Sequence, residues 1–129
     1  MSINILIVDD STTVRAVMEK TLRLSGVEIG NILHASNGKE ALDILRSNWV
    51  DLVLTDINMP VMNGVELINE MNQDELLKTI PIAIVSTEGS QTRVEELKSK
   101  GVKAYLRKPF TPESLKNLVI ELLGVSGNE

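Results

Sequence analysis

Four short runs, "INILIV", "DLVLT", "PIAIV" and "KAYL", are apolar at nearly every position, and longer stretches separate them in which apolar residues return every three or four positions. A strand that is apolar throughout, rather than at alternate residues, is buried on both faces. "NILHAS" reads as a fifth, weaker strand. The helical periodicity runs through Val14, Val17, Met18 and Leu22; Ala41, Leu42 and Leu45; Val65, Ile68 and Met71; Val94 and Leu97; and Leu115, Leu118, Val119 and Leu122. Strand and helix therefore alternate five times.

Local chemistry marks several helix ends. Asn37 with Glu40, and Asn63 with Glu66, have capping-box spacing, and Thr111-Pro112 supplies an N-cap followed by proline at the first helical position. Gly101 suits a helix C-terminus ahead of the last strand. Right-handed crossovers leave one economical arrangement for such an alternation, a parallel sheet with helices on both faces. The predicted fold is α/β, an open, doubly wound (βα)5.

Length and composition change this picture little. At 129 residues the chain is the size of one ordinary domain. It has no cysteine, which removes disulfides and thiolate metal sites. With no leader-like start and no apolar stretch long enough to span a membrane, it is expected to be cytoplasmic, without membrane insertion. The net charge of -5 argues against direct DNA binding, yet the segment from Arg93 to Lys116 carries seven cations against three anions, a local +4. That segment is either an ordinary solvated surface or a docking face.

In open parallel sheets, ligands bind beyond the carboxyl ends of the strands. Strand 1 exits at Asp9-Asp10, strand 3 at Asp56, strand 4 at Ser86-Thr87 and strand 5 at Lys108-Pro109. Taken singly, each has a bland explanation as a cap, a turn residue or a solvated charge. Taken together they do not, because clustered carboxylates repel and need a cation. All the available ligands are oxygens, which points to a hard divalent ion such as Mg2+ and, beside it, a phosphoryl group. His34, the one histidine, reads as an ordinary strand side chain. Asp56 is the best-placed nucleophile, with Lys108 as the cation and Ser86 as a hydroxyl donor.

The set "VDDS", "LTDINMPVMNG", "IVST" and "LRKPF" resembles the receiver domain of two-component response regulators, in particular the single-domain, CheY-like chemotaxis type. The resemblance implies the flavodoxin-like strand order 2-1-3-4-5. It implies a receiver domain over residues 1–124, a short tail over 125–129 and no output domain. It implies that Asp56 accepts a phosphoryl group from a histidine kinase, and that Asp10, Asp56 and the Asn58 backbone carbonyl bind Mg2+, with Asp9 acting mainly through water. Ser86 falls on the switch hydroxyl position, Tyr105 on the aromatic switch position, and Lys108-Pro109 on a bond the family holds cis. Asn58 and Glu88 fall on the two positions that tune the lifetime of the phosphorylated form, here expected to be seconds to minutes.

The implied partners are a sensor histidine kinase, such as a chemotaxis kinase, and an effector at the face of the fourth helix, fifth strand and fifth helix, such as a flagellar motor switch protein; a phosphatase is a third. The protein is then a signalling switch rather than an enzyme. Ile57, where the chemotaxis pattern has Trp, and a slightly longer Ser25 to Leu33 segment are departures that leave a non-chemotaxis phosphorelay or transcriptional pathway open. Two rivals are disfavoured by the residues. A haloacid-dehalogenase-type phosphohydrolase needs its nucleophile after the first strand and a cap domain, and a flavodoxin needs a phosphate loop after strand 1.

Overall fold

The computed structural model describes residues 2–124, so the expected tail at 125–129 lies outside the described residues. The order of elements is β1 (Ile3–Val8), α1 (Thr12–Arg23), β2 (Ile29–Ala35), α2 (Gly38–Ser47), β3 (Leu52–Thr55), α3 (Gly64–Asn72), a 3-10 turn (Leu77–Thr79), β4 (Ile82–Ser86), α4 (Gln91–Ser99), β5 (Ala104–Arg107) and α5 (Pro112–Leu123). The five strands form one parallel sheet in the order β2-β1-β3-β4-β5. Among the described residues, no helix is long and apolar enough to cross a membrane.

Strand parity divides the apolar residues between two cores. Ile3, Ile5, Ile7, Leu52, Leu54, Ala83 and Val85 face α1 and α5, where Met18, Leu22, Leu115, Leu118 and Val119 meet them. Leu6, Val8, Val53, Ile82 and Ile84 face the other way, onto Ala41, Leu42 and Leu45 of α2, Leu67, Ile68 and Met71 of α3, and Leu97 of α4. The central strands are apolar at nearly every position for this reason: both sides of the sheet are covered. Val17 is the exception to the helical reading. Val14, Met18 and Leu22 supply the inward stripe of α1, and Val17, off that line, is 52% exposed.

The predicted helix starts differ in detail. Asn63 and Glu66 form a reciprocal box, each side chain bonding the other's backbone N–H at 2.8 and 3.0 Å. Asn37 caps α2 by accepting from the Glu40 N–H, but the Glu40 carboxylate turns instead to the N–H and hydroxyl of Ser36. Thr111 caps α5, with Pro112 in its first turn. Ser11 and Ser90 cap α1 and α4, which the sequence reading did not single out. Gly101, at φ +97°, ends α4 as expected.

The β1–β2 pairing is irregular only far from the strand exits. The β1–β2 register passes from Ile3↔Ile29 to Ile5↔Ile32, so β2 carries one extra residue at its start. The Asn4 side chain accepts from the Asn31 N–H at 2.9 Å beside this bulge. By Val8↔Ala35 the pairing is regular again.

One close approach matters for the site. A Cβ on Gly64 would lie 2.3 Å from the Asp56 carbonyl oxygen, so only glycine lets the start of α3 come this near the end of β3. Its N–H also donates to the Ile57 carbonyl at 2.7 Å, closing the loop that carries Asn58. Gly64→Ala is expected to lower stability by about 1–3 kcal/mol through forced backbone displacement. A shift of the urea midpoint at constant slope would report it.

Candidate functional site

The backbone pairing does not stop where the strands end. The Asp56 N–H donates to the Val8 carbonyl at 2.9 Å, the Asp9 N–H to the Ala35 carbonyl at 3.0 Å and the Lys108 N–H to the Ser86 carbonyl at 2.8 Å. The residues that follow β1, β3 and β5 are thus held in the same register as the strands. β1 and β3 are neighbours from which the chain winds in opposite directions, the place where such sheets open a crevice.

Asp9, Asp10 and Asp56 come together there, with one carboxylate oxygen from each within 4.8 Å of the others. Asp9 is 2% exposed, Asp56 half-buried and Asp10 exposed. The two inner acids share a cation: Lys108 Nζ donates to Asp9 Oδ2 at 2.6 Å and to Asp56 Oδ2 at 3.1 Å. Asp9 Oδ1 accepts from the Ser11 N–H at 2.9 Å, and Asp56 Oδ1 from the Ile57 N–H at 2.7 Å. Burial opposes the charge on Lys108, but the hydrogen bonds and negative charges of Asp9 and Asp56 outweigh it and hold the ammonium above the ordinary lysine range.

An all-oxygen donor set with one exposed member fits a hard divalent cation that keeps several waters. Three carboxylates and one ammonium leave two formal negative charges, the complement of one such ion. Each bonded carboxylate oxygen keeps a further lone pair for it.

The other expected residues lie around this cluster. Ser86 is fully buried at the end of β4, and its hydroxyl accepts from the Glu88 N–H at 3.2 Å. Thr87, next to it, is exposed. Tyr105 is turned inward, half-buried, with its hydroxyl donating to the Glu88 carbonyl at 2.5 Å. Burial and then the Glu88 charge push its phenol above the usual range. Asn58 is exposed on the loop closed by Gly64. The Lys108–Pro109 bond is cis.

Sequence reasoning missed several supports. It gave Lys108 to a phosphoryl group alone, whereas here the ammonium first reconciles Asp9 with Asp56. It overlooked Arg15, whose guanidinium donates to the Asp9 carbonyl at 2.5 Å and to His34 Nδ1 at 3.3 Å. His34 also meets Glu19 at 2.6 Å, so it belongs to a polar network beside β2. Arg93, counted only as part of the +4 segment, pairs with Glu88 and Glu96. Only the spacing of Arg93 on α4 could have hinted at the last contact.

Comparison with known proteins places this geometry. The profile of the response regulator receiver domain matches residues 5–120. The chemotaxis protein CheY homolog of Campylobacter jejuni is 39% identical over 126 residues, covering 97% of this chain and 95% of that protein. Chemotaxis protein CheY1 of Helicobacter pylori is 39% identical over 123 residues, covering 95% and 98%. The solved structure of the chemotaxis response regulator CheY4 of Vibrio cholerae superposes with a TM-score of 0.85 at 33% identity, covering 95% of this chain and all of that one (100%).

The Lys108 clamp sets a pH dependence. A group whose value is raised on folding stabilises the protein below its unfolded value, about 10.4 for lysine, and loses that contribution as the pH climbs through the folded one. Tyr105, also raised, acts in the same direction. Stability is expected to fall above about pH 10 from these two groups. Lys108→Met should be less stable at neutral pH by about 2–3 kcal/mol, because Asp9 loses its cation, and should show a shallower alkaline fall. Urea midpoints across pH would check both.

Proposed function

Since this chain belongs to the response regulator receiver family, in its CheY-type branch, we propose that residues 1–124 act as a phosphorylation-driven switch in which Asp56 accepts a phosphoryl group from a histidine kinase. The observation that carries this reading is the Asp56 carboxylate at a strand exit, facing Lys108, beside Asp9 and Asp10 and near the buried Ser86 hydroxyl.

An Asp56 oxygen attacks the phosphorus, the phosphorus–nitrogen bond to the kinase imidazole breaks, and the imidazole leaves with a proton. The product is an acyl phosphate. Lys108, already within reach of Asp56, exchanges part of that contact for the phosphoryl oxygens. Mg2+ would be held by Asp10, Asp56 and the Asn58 carbonyl, with Asp9 behind a water. Supporting this division, Asp10 is exposed whereas Asp9 is buried and bonded to Lys108 and the Ser11 N–H. Once bound, the ion would neutralise charge on the phosphoryl oxygens.

The phosphoryl group adds about two negative charges near Ser86. Its hydroxyl, now bonded to the Glu88 N–H, is drawn to the new oxygens, and the loop after β4 shifts with it. Tyr105 is tied to the same loop through the Glu88 carbonyl, so its inward position is stabilised and the face of α4, β5 and α5 is reshaped. Of the seven cations in the Arg93–Lys116 segment, Lys108 points into the site, Arg93 is paired and Lys100 and Lys116 are half-buried, which leaves Lys98, Lys103 and Arg107 as the exposed positive charge nearest that face. An effector presenting an acidic amphipathic segment fits them. By likeness to its named relatives, the output is chemotaxis.

Incubation with Mg2+ and a small-molecule phosphodonor should add one phosphoryl group to the wild type by intact mass, and none to Asp56→Asn. Decay should take seconds to minutes and change in Asn58 and Glu88 variants. An unmodified wild type would sink the reading.

A further inference from the structure

The Glu88 side chain is unevenly satisfied at this edge of the sheet. Its Oε2 is shut off from solvent and has no hydrogen-bond partner among the described residues. A buried carboxylate oxygen without a donor is costly, so something else must keep the side chain where it is. The sole cation paired with it among the described residues is Arg93, whose Nε lies 3.4 Å from Oε1.

Arg93 is itself anchored. Its Nη1 donates to Glu96 Oε1 at 3.0 Å, and its backbone N–H to the Ser90 hydroxyl that caps α4, at 3.2 Å. The backbone around Glu88 is fixed from the other side. Tyr105 bonds the Glu88 carbonyl, and the Arg107 guanidinium packs so closely on Gly89 that a Cβ there would lie 2.9 Å from it. With the backbone held, the bond from Arg93 is what orients the Glu88 side chain.

We propose that Arg93 is a positioning residue for Glu88: it draws the carboxylate toward α4, away from water that would attack a phosphoryl group on Asp56, and so lengthens the life of the phosphorylated form. This rests on the reading of Asp56 and Glu88 given above. In hydrolysis a water oxygen attacks phosphorus, the bond from phosphorus to the Asp56 oxygen breaks, and the proton of the water must be taken up. A carboxylate free to turn toward that water can orient it or accept its proton. One tied to a guanidinium is held out of that position.

The test compares the wild type, Arg93→Ala, Glu88→Ala and the double variant. Each is phosphorylated with phosphoramidate and Mg2+, freed of donor, and followed by intact mass as the phosphoryl group is lost. Arg93→Ala is expected to decay about three- to tenfold faster, the weight of one charge-assisted bond on a partly exposed side chain. In the Glu88→Ala background the same change should leave the rate unaltered, a distinction that a merely structural role for Arg93 would not produce. Unchanged or slower decay in Arg93→Ala, or equal acceleration in both backgrounds, overturns the proposal while leaving Asp56 as phospho-acceptor. A wild type that takes up no phosphoryl group overturns both.

Discussion

Lys108 reaches from the end of β5 and sets its ammonium between the carboxylates of Asp9 and Asp56, at 2.6 and 3.1 Å. Without it, a buried acid would face a second acid across the ends of neighbouring strands, at a cost of several kcal/mol in a medium of low polarity. With it, the sheet can keep the carboxylates of Asp9, Asp10 and Asp56 at one edge before any ligand arrives. Charge that would otherwise oppose folding is retained for use.

The rest of the fold serves that placement. Five parallel strands bring the exits of β1, β3, β4 and β5 to one edge, and backbone bonds carry the register one residue beyond β1, β3 and β5, to Asp9, Asp56 and Lys108. Apolar residues on both faces leave the sheet no freedom to slip, since a shift by one residue would exchange its two cores. Gly64 lets α3 press against Asp56, and the capping box of Asn63 and Glu66 fixes where that helix begins. On the loop after β4, the Ser86 hydroxyl, the Tyr105 hydroxyl and Arg93 each hold a different part of Glu88. A group that competes for any one of them moves the others.

Much of this was legible in the sequence because the signals are local or periodic. "ILIVDD" reports a strand buried on both faces that delivers two acids to an edge, and the strand exits follow from the α/β alternation. The family's chain-wide motifs add the strand order, which spacing alone does not supply. What could not be read depends partly on contacts between residues far apart in the chain and partly on local choices that the spacing leaves open. Nothing near Lys108 says that its ammonium will bridge acids 99 and 52 positions away. Glu40 has the spacing of a capping box yet bonds Ser36, because both placements satisfy the carboxylate and only the local fold decides. Val17 has helical spacing but lies beside the buried stripe, and three- and four-residue periodicities cannot mark the edge of such a stripe.

Asp9, Asp10 and Asp56, offset by Lys108, keep two formal negative charges, and Asp10 remains open to solvent. The most direct test of this electrostatic design is the urea midpoint of the wild type and of Asp10→Asn as Mg2+ is raised at constant ionic strength. A ligand bound only by the folded state stabilises it in proportion to the logarithm of its concentration once the site is filled. The expected result is a midpoint that climbs with Mg2+ in the wild type and is nearly flat in Asp10→Asn. A wild-type midpoint indifferent to millimolar Mg2+ would contradict it.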